Sequence, residues 1–401
     1  MSRQQTLLIV FVGTLILSIL VGCSSNAPTP FQGTPASSPI LEPQTEGSSV
    51  EFISQIGGPT LAIAVQGNYA YVGAGPRLAI LDVSDPTQSL FTGQTDMLSG
   101  IVIDVAVMGN YAYVAVGNDS DYTDGENRLH ILDNSNPAAP TVAGFHNTPG
   151  VYGQDMAVAG DHAYVADGES GLRIIDISNP STLIEVGSFD ISSGAGGVAV
   201  VGNYAYIAAG ENGLRIIDIS NPAAPIEIGF FDTQYHALGI AVAGNYAYVP
   251  DGYNGLRIIN ISNPAAPTEE GFYDTPGFAM SVTAVAGNYA YITEGDSALL
   301  RIIDISNPAA PTEIGFYDTP GVNFDLVVIG DYAYVADGKR GLRIIYISNP
   351  AAPIGAGFYD TPSMYAQDVA VVGDYAYIAD RNYGLRIIDI SNPAAPAEAG
   401  F

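Results

Sequence analysis

The feature that most constrains this chain is one segment of about 42 residues written eight times. A Gly followed by Asn or Asp and a Tyr-Ala-Tyr-like triplet starts at Gly67, Gly109, Gly160, Gly202, Gly244, Gly287, Gly330 and Gly373. The intervals are 42, 51, 42, 42, 43, 43 and 43 residues. A chain that repeats at this period stacks equivalent units, each burying its apolar face on the next, instead of wrapping one continuous core.

No copy holds a ten-residue stretch with 3.6-residue periodicity, so helical arrays are excluded. Each copy reads instead as four short strands, a to d, separated by turn chemistry. In the last copy strand a is Asp368 to Val372, and Gly373-Asp374 supplies a two-residue hairpin turn. Strand b is Tyr375 to Ala379. Strand c, Leu385 to Ile390, is apolar on both faces, and Ser391-Asn392-Pro393 ends it because Pro has no amide donor. Strand d follows Pro396, and its Glu398 and Gly400 suit an exposed outer edge. Four antiparallel strands written eight times predict an all-β fold, an eight-bladed β-propeller over residues 51–401. Residues 51–60 (EFISQIGGPT) align with strand d of later copies. They are expected to form a closure strand, with Ala397 to Phe401 alongside or beyond it.

The stretch LRIIDISNPAAP at Leu214 to Pro225 resembles the LVIVD repeat, a propeller-like repeat of bacterial and archaeal surface proteins. The likeness runs from Gly67 to Phe401, with LAILDVSDP (Leu78 to Pro86) and LHILDNSNP (Leu129 to Pro137) the most divergent copies. It implies an extracytoplasmic propeller and implies no enzyme.

The first fifty residues carry an address. Arg3 precedes an apolar run from Leu7 to Leu20, too short for a comfortable membrane span and of the length of a secretory signal core. Leu20-Val21-Gly22-Cys23 resembles a bacterial lipobox, which implies a signal peptide over residues 1–22, cleavage before Cys23 and acylation of its thiol. Ser24, in place of Asp, points by the same resemblance to the outer membrane of a two-membrane cell. Residues 23–50 are rich in Ser, Pro, Thr and Gln without apolar periodicity, and read as a disordered tether. Cys23 is the only cysteine, so no internal disulfide exists.

Residues repeated in most blades argue for scaffold. Arg follows the strand c Leu six times, as Arg173, Arg215, Arg257, Arg301, Arg343 and Arg386, and is expected to pair with loop acids such as Asp167, Asp251, Asp337 and Asp380. The strand c residues Asp176, Asp218, Asp304 and Asp389 read the same way.

Positions where the copies disagree point to function. The connections from strand d to the next strand a carry Tyr152, Gln154, Tyr235, His236, Phe278, Asn323, Phe324, Tyr365 and Gln367. Such a mixed aromatic and polar rim suits recognition of a protein or glycan partner, or else plugs the channel mouth. At the start of strand a, Asp104, Asp155, Asp325 and Asp368 fall in blades 2, 3, 7 and 8, which ring closure gathers on one half of the channel. They would hold a hard cation or a basic group, or bond nearby backbone amides. The overlong loop of copy two offers Asp119, Asp121, Asp124 and Glu126, oxygen ligands for Ca2+ or simply a solvated acidic loop.

Enzyme signals are absent. The four histidines form no HxH or HExxH pair, there is no GxSxG, and the chain has no Trp, unlike the Trp-rich blades of quinoprotein dehydrogenases. A metal-dependent, lactonase-like hydrolase of the channel is the competing reading, and a passive envelope spacer is the third. With 41 acidic and 12 basic residues the formal charge is −29, which repels phosphate backbones, so nucleic acid is not an expected partner. The expectation is a monomer held to the membrane through lipid on Cys23, on the cell surface or the periplasmic face.

Overall fold

The structure is a computed structural model that describes residues 10–11, 15–16, 61–85, 90–117, 127–150, 155–294, 298–321, 323, 325–337, 340–360, 366–380 and 384–400. The chain forms eight four-stranded antiparallel sheets in sequence order, an eight-bladed β-propeller with no helix among the described residues. In blade 4 the strands are Gly197–Val201 (a), Tyr204–Ala208 (b), Leu214–Asp218 (c) and Ile226–Phe231 (d).

The a-to-b turn explains the marker glycine. Gly67, Gly109, Gly160, Gly202, Gly244, Gly287, Gly330 and Gly373 all have φ between +58° and +62°, whereas the Asn or Asp that follows does not enter that region. A left-handed residue at the first turn position alone is the type II′ hairpin, whose twist matches the flanking strands. Space around Gly67 is open, so the requirement there is conformational rather than steric.

The core lies between blades, not within them. Eight apolar clusters occur among the described residues, each shared by two neighbouring blades. Strand c is apolar on both faces because each face meets a different blade. Ile216 joins the cluster shared with blade 5, and Ile217 joins the one shared with blade 3. Both are fully buried, each contributing roughly 1.5–3 kcal/mol by removal from water. The ring is closed by the same means, since Ile63, Val72 and Leu81 of blade 1 pack with Tyr377, Leu385 and Ile387 of blade 8.

The outer position of blade 8 is taken by Ala397–Gly400, paired with strand c of that blade. From sequence, that position is expected to belong to residues 51–56. Each blade is thus one contiguous piece of chain, and residues 51–60 lie outside the described residues.

Strand d is less of a free edge than its composition suggests. Each strand d carries a bulge and then a glycine, and in most blades a Cβ on that glycine would strike a proline carbonyl in the c-to-d turn of the next blade. The distance is 2.1 Å for Gly229 against Pro264 and 2.1 Å for Gly315 against Pro350. The glutamates of strand d also face seams. Glu313 takes Arg301 of its own blade at 2.5 Å and the Tyr273 hydroxyl of the preceding blade at 3.0 Å. Burial, followed by this bond to a carboxylate, pushes Tyr273 up to about 12.

Candidate binding face

The six repeated arginines are consumed by the scaffold. Arg343 lies 3.1 Å from Asp337, Arg386 3.6 Å from Asp380, Arg257 3.9 Å from Asp251 and Arg173 4.0 Å from Asp167. In blade 6 Glu294 replaces the loop Asp and takes Arg301 at 2.7 Å. Arg215 has Ala209 in the corresponding place and turns to Glu227 at 3.4 Å. The loop acids are fully buried and also bind backbone. Asp167 accepts the amide of Gly150 at 2.7 Å, and Asp337 that of Gly321 at 2.9 Å. One buried carboxylate thereby joins its own Arg to the connection entering the blade. The strand c acids accept the amide of the serine two residues on, as in Asp176 with Ser178 at 2.8 Å, which starts the turn to strand d.

The channel acids form a second system. Asp155 accepts the amide of Met156 at 2.8 Å and, across the seam, the amide of Val198 in blade 4 at 2.9 Å. Asp325 accepts from Val369 at 3.1 Å, and Asp368 from Ile63 at 3.0 Å, which staples blade 8 to blade 1 where the ring closes. Asp104 bonds its own neighbour Val105 at 2.7 Å and the amide of Met156 in blade 3. The geometry therefore gives these carboxylates backbone amide partners, one of the alternatives open from sequence.

Their electrostatics follow from enclosure. Each is only partly exposed, so much of its bulk solvation is lost. Burial, followed by the charge of Asp155, raises Asp104 to about 7. Burial raises Asp155 despite its two amide bonds. Asp368 is held well above the ordinary carboxyl range by burial, then by the charge of Asp325, whose carboxyl stands within hydrogen-bonding reach. Among the described residues no three His, Cys, Asp or Glu side chains converge as a metal site requires. Asp119, Asp121, Asp124 and Glu126 lie outside those residues, as does Cys23.

The variable rim resolves into parts. Tyr235, His236 and Phe278 come together over the b-to-c loop of blade 5, with Tyr235 edge-on to His236 at 4.9 Å between centroids. Between Tyr235 and Phe278 stands Tyr253, at 5.8 Å from the first and 4.9 Å from the second. Tyr253 is 55% exposed while Phe278 is nearly buried. Tyr253 is not among the rim residues expected from sequence, although the signal exists there, because Glu169, Glu211, Tyr253 and Lys339 occupy one loop position in four copies. Asn323 and Gln367 do not belong to a displayed rim. Both are fully buried, Asn323 accepting a hydrogen bond from Thr319 and Gln367 sitting at a strand irregularity. Tyr152, Gln154, Phe324 and Tyr365 lie outside the described residues.

All of this is at one end of the ring. Asp104, Asp155, Asp325 and Asp368 pair with the last residues of strand b, and the bridges Gly168–Ala195, Gly210–Ala237 and Gly252–Ala279 tie the b-to-c loops to the outgoing connections. The channel mouth thus has an acidic arc on blades 7, 8, 2 and 3 and an aromatic arc on blades 4 to 6.

The profile of the LVIVD repeat matches residues 57–96, 99–148, 150–191, 194–233, 236–275, 276–319, 320–361 and 364–401. The chain belongs to the LVIVD repeat family. Its eight matched units correspond to the eight blades. A search of curated proteins returned no match. Among solved structures, this LVIVD-repeat ring is similar to the computationally designed Ika8 protein (TM-score 0.68, 9% identity, 82% of this chain and 96% of that one). It is also similar to Sqt1 of Saccharomyces cerevisiae (0.66, 9%, 84% and 97%). A third is the Cps50 (Swd1) propeller domain of Myceliophteria thermophila (0.53, 11%, 69% and 92%). At such identities the likeness concerns the fold alone.

Proposed function

We propose that this protein is a binding module tethered to the outside of a membrane, and that it meets its protein or glycan partner with the end of the ring that carries the b-to-c loops. One observation carries the reading. Residues common to the blades are spent on turns, seams and buried ion pairs, whereas this end gathers residues the scaffold does not require, among them an exposed aromatic group around Tyr253. Aromatic side chains with polar tips give contact area at low entropic cost, which is why they dominate binding surfaces. Lipid on Cys23 and the Ser/Pro/Thr-rich segment behind it would hold the ring off the membrane with this end free to engage.

The test is binding of the intact protein to glycan and peptide arrays. A signal lost in the double variant Tyr235→Ala/Tyr253→Ala, and kept when the outer-edge residues Phe230 and Phe272 are both changed to Ala, supports the proposal. Binding that follows the outer edge instead, or a protein that binds nothing on either array, overturns it. For the anchor, Cys23→Ser is expected to move the protein from the membrane fraction to the soluble fraction. No observation favours hydrolysis over binding.

A further inference from the structure

We propose that the aromatic group on blades 4 to 6 is a seat for an organic ammonium ion, a quaternary or methylated amine. This rests on the reading that the loop end of the ring is the binding face, and names the chemistry that one arc of it recognises.

The local backbone is built for display. Four other connections place Pro at the third position of a DTP or NTP segment, as Pro149, Pro276, Pro320 and Pro362, but the connection from blade 4 to blade 5 has Gln234 there. Gln234 has φ of +71°, a region that a non-glycine residue enters at a cost, and its amide is held by the Asp232 carboxylate at 2.9 Å. The chain leaving Gln234 carries Tyr235 over Gly252. A Cβ there would come within 2.5 Å of the Tyr235 ring and 3.2 Å of the Phe278 ring, so the missing side chain lets both rings close over the loop. A strained residue, a glycine floor and three rings at variable positions coincide in one place.

The ring geometry selects the ligand. Interplanar angles are 67° for Tyr235 with Tyr253, 78° for Tyr253 with Phe278 and 87° for Tyr235 with His236. These are edge-to-face packings, with Phe278 buried beneath and Tyr253 55% exposed. The group thus presents a small stepped aromatic surface centred on Tyr253, which suits a compact methylated cation better than the flat face of a sugar. The negative faces of the rings attract such a cation, the more strongly the more it is desolvated. Charge agrees. Glu211 lies 3.7 Å from His236 with its carboxylate 78% exposed, the opposite arc of the mouth carries four Asp residues, and the whole chain bears −29. An anionic ligand is repelled on every count.

The experiment titrates intact protein with choline chloride and, separately, with 3,3-dimethyl-1-butanol, which has the same shape without the charge. Choline is expected to bind at least about tenfold more tightly than the neutral analogue. Tyr253→Ala is expected to weaken it about tenfold, Tyr253→Phe to keep it, and Glu211→Gln to weaken it about two- to threefold. A trimethyl-lysine peptide and phosphocholine vesicles identify the natural carrier, and binding of either supports the assignment. Equal affinity for the neutral analogue, or choline binding indifferent to Tyr253→Ala, overturns it. Array binding that depends on Tyr235 and Tyr253 without any choline binding also overturns it, yet leaves the loop end as the binding face.

Discussion

The outer seams and the channel mouth are made by the same eight repeats, yet they treat sequence in opposite ways. In the scaffold a residue type recurs because the same surroundings are built in blade after blade: strand d is glycine where the next blade's proline carbonyl approaches, and Arg lies between a loop acid and a strand d Glu of its own blade. At the mouth a position such as that of Tyr253 differs from copy to copy, with Glu169, Glu211 and Lys339 in its place elsewhere. Repetition therefore marks scaffold, whether turn, ion pair or inter-blade contact, and divergence marks surface available for selection by a partner. If this contrast is right, substitutions at seams cost stability wherever they are made, and substitutions at the mouth do not.

The largest effect is expected from splitting a buried ion pair. Glu294 is fully buried, accepts the Gly277 amide at 3.2 Å and is bonded by Arg301 through both oxygens. Arg301→Ala leaves that carboxylate enclosed without its cation, which is expected to cost on the order of 3–5 kcal/mol. Urea unfolding of variant and parent measures it. A loss below about 1 kcal/mol would show that the pair is solvated and the seam looser than described.

The next effect separates two kinds of glycine. Gly229→Ala places a methyl against the Pro264 carbonyl, backbone that cannot swing aside, and is expected to cost roughly 2–3 kcal/mol. Gly67→Ala meets open space but keeps φ near +60°, so only conformational strain of about 1–2 kcal/mol applies. If urea midpoints fell equally for both, the idea that strand d glycines exist to admit the neighbouring blade would be wrong.

These contrasts also show what the chain discloses before folding. Strand number, the hairpin glycine, the proline stops and the two-faced strand c follow from local stereochemistry and period, so they are readable from residues alone. The ion pairs of Arg173, Arg257, Arg343 and Arg386 are readable too, because one pattern recurs at fixed spacing. The role of the strand d glycine is not, since its partner is a carbonyl in the next blade, some 35 residues away with no side-chain signature. Nor is the burial of Asn323 and Gln367, which depends on how each connection descends into the ring. Tyr253 is hidden for another reason: it is one divergent residue inside a tight loop whose glycines repeat, beside long connections that diverge throughout.

The smallest effect bears on the acidic arc, where mouth and seam meet. Asp104 sits at the mouth by position but bonds across a seam, so it should behave as scaffold and show it through pH. Its pKa in the folded ring, about 7, lies above that of an unfolded Asp. The neutral form is thus favoured by folding: the associated stability is fully present below the unfolded pKa and is lost as pH rises through about 7. Asp155 and Asp368 shift in the same direction. The serine-bonded acids Asp176, Asp218, Asp304 and Asp389 shift the other way, and their contribution is lost only as pH falls below the ordinary Asp value, outside the window concerned. Asp104→Asn copies the neutral carboxyl and cannot ionise. Between pH 5 and pH 8 the parent is expected to lose on the order of 1–2 kcal/mol relative to this variant, the full value of the shift being discounted for channel water. Urea midpoints across that range measure the difference. Parallel curves for the two proteins would mean that Asp104 is solvated like an ordinary surface acid, and that the acidic arc belongs with the freely varying mouth instead of with the seams.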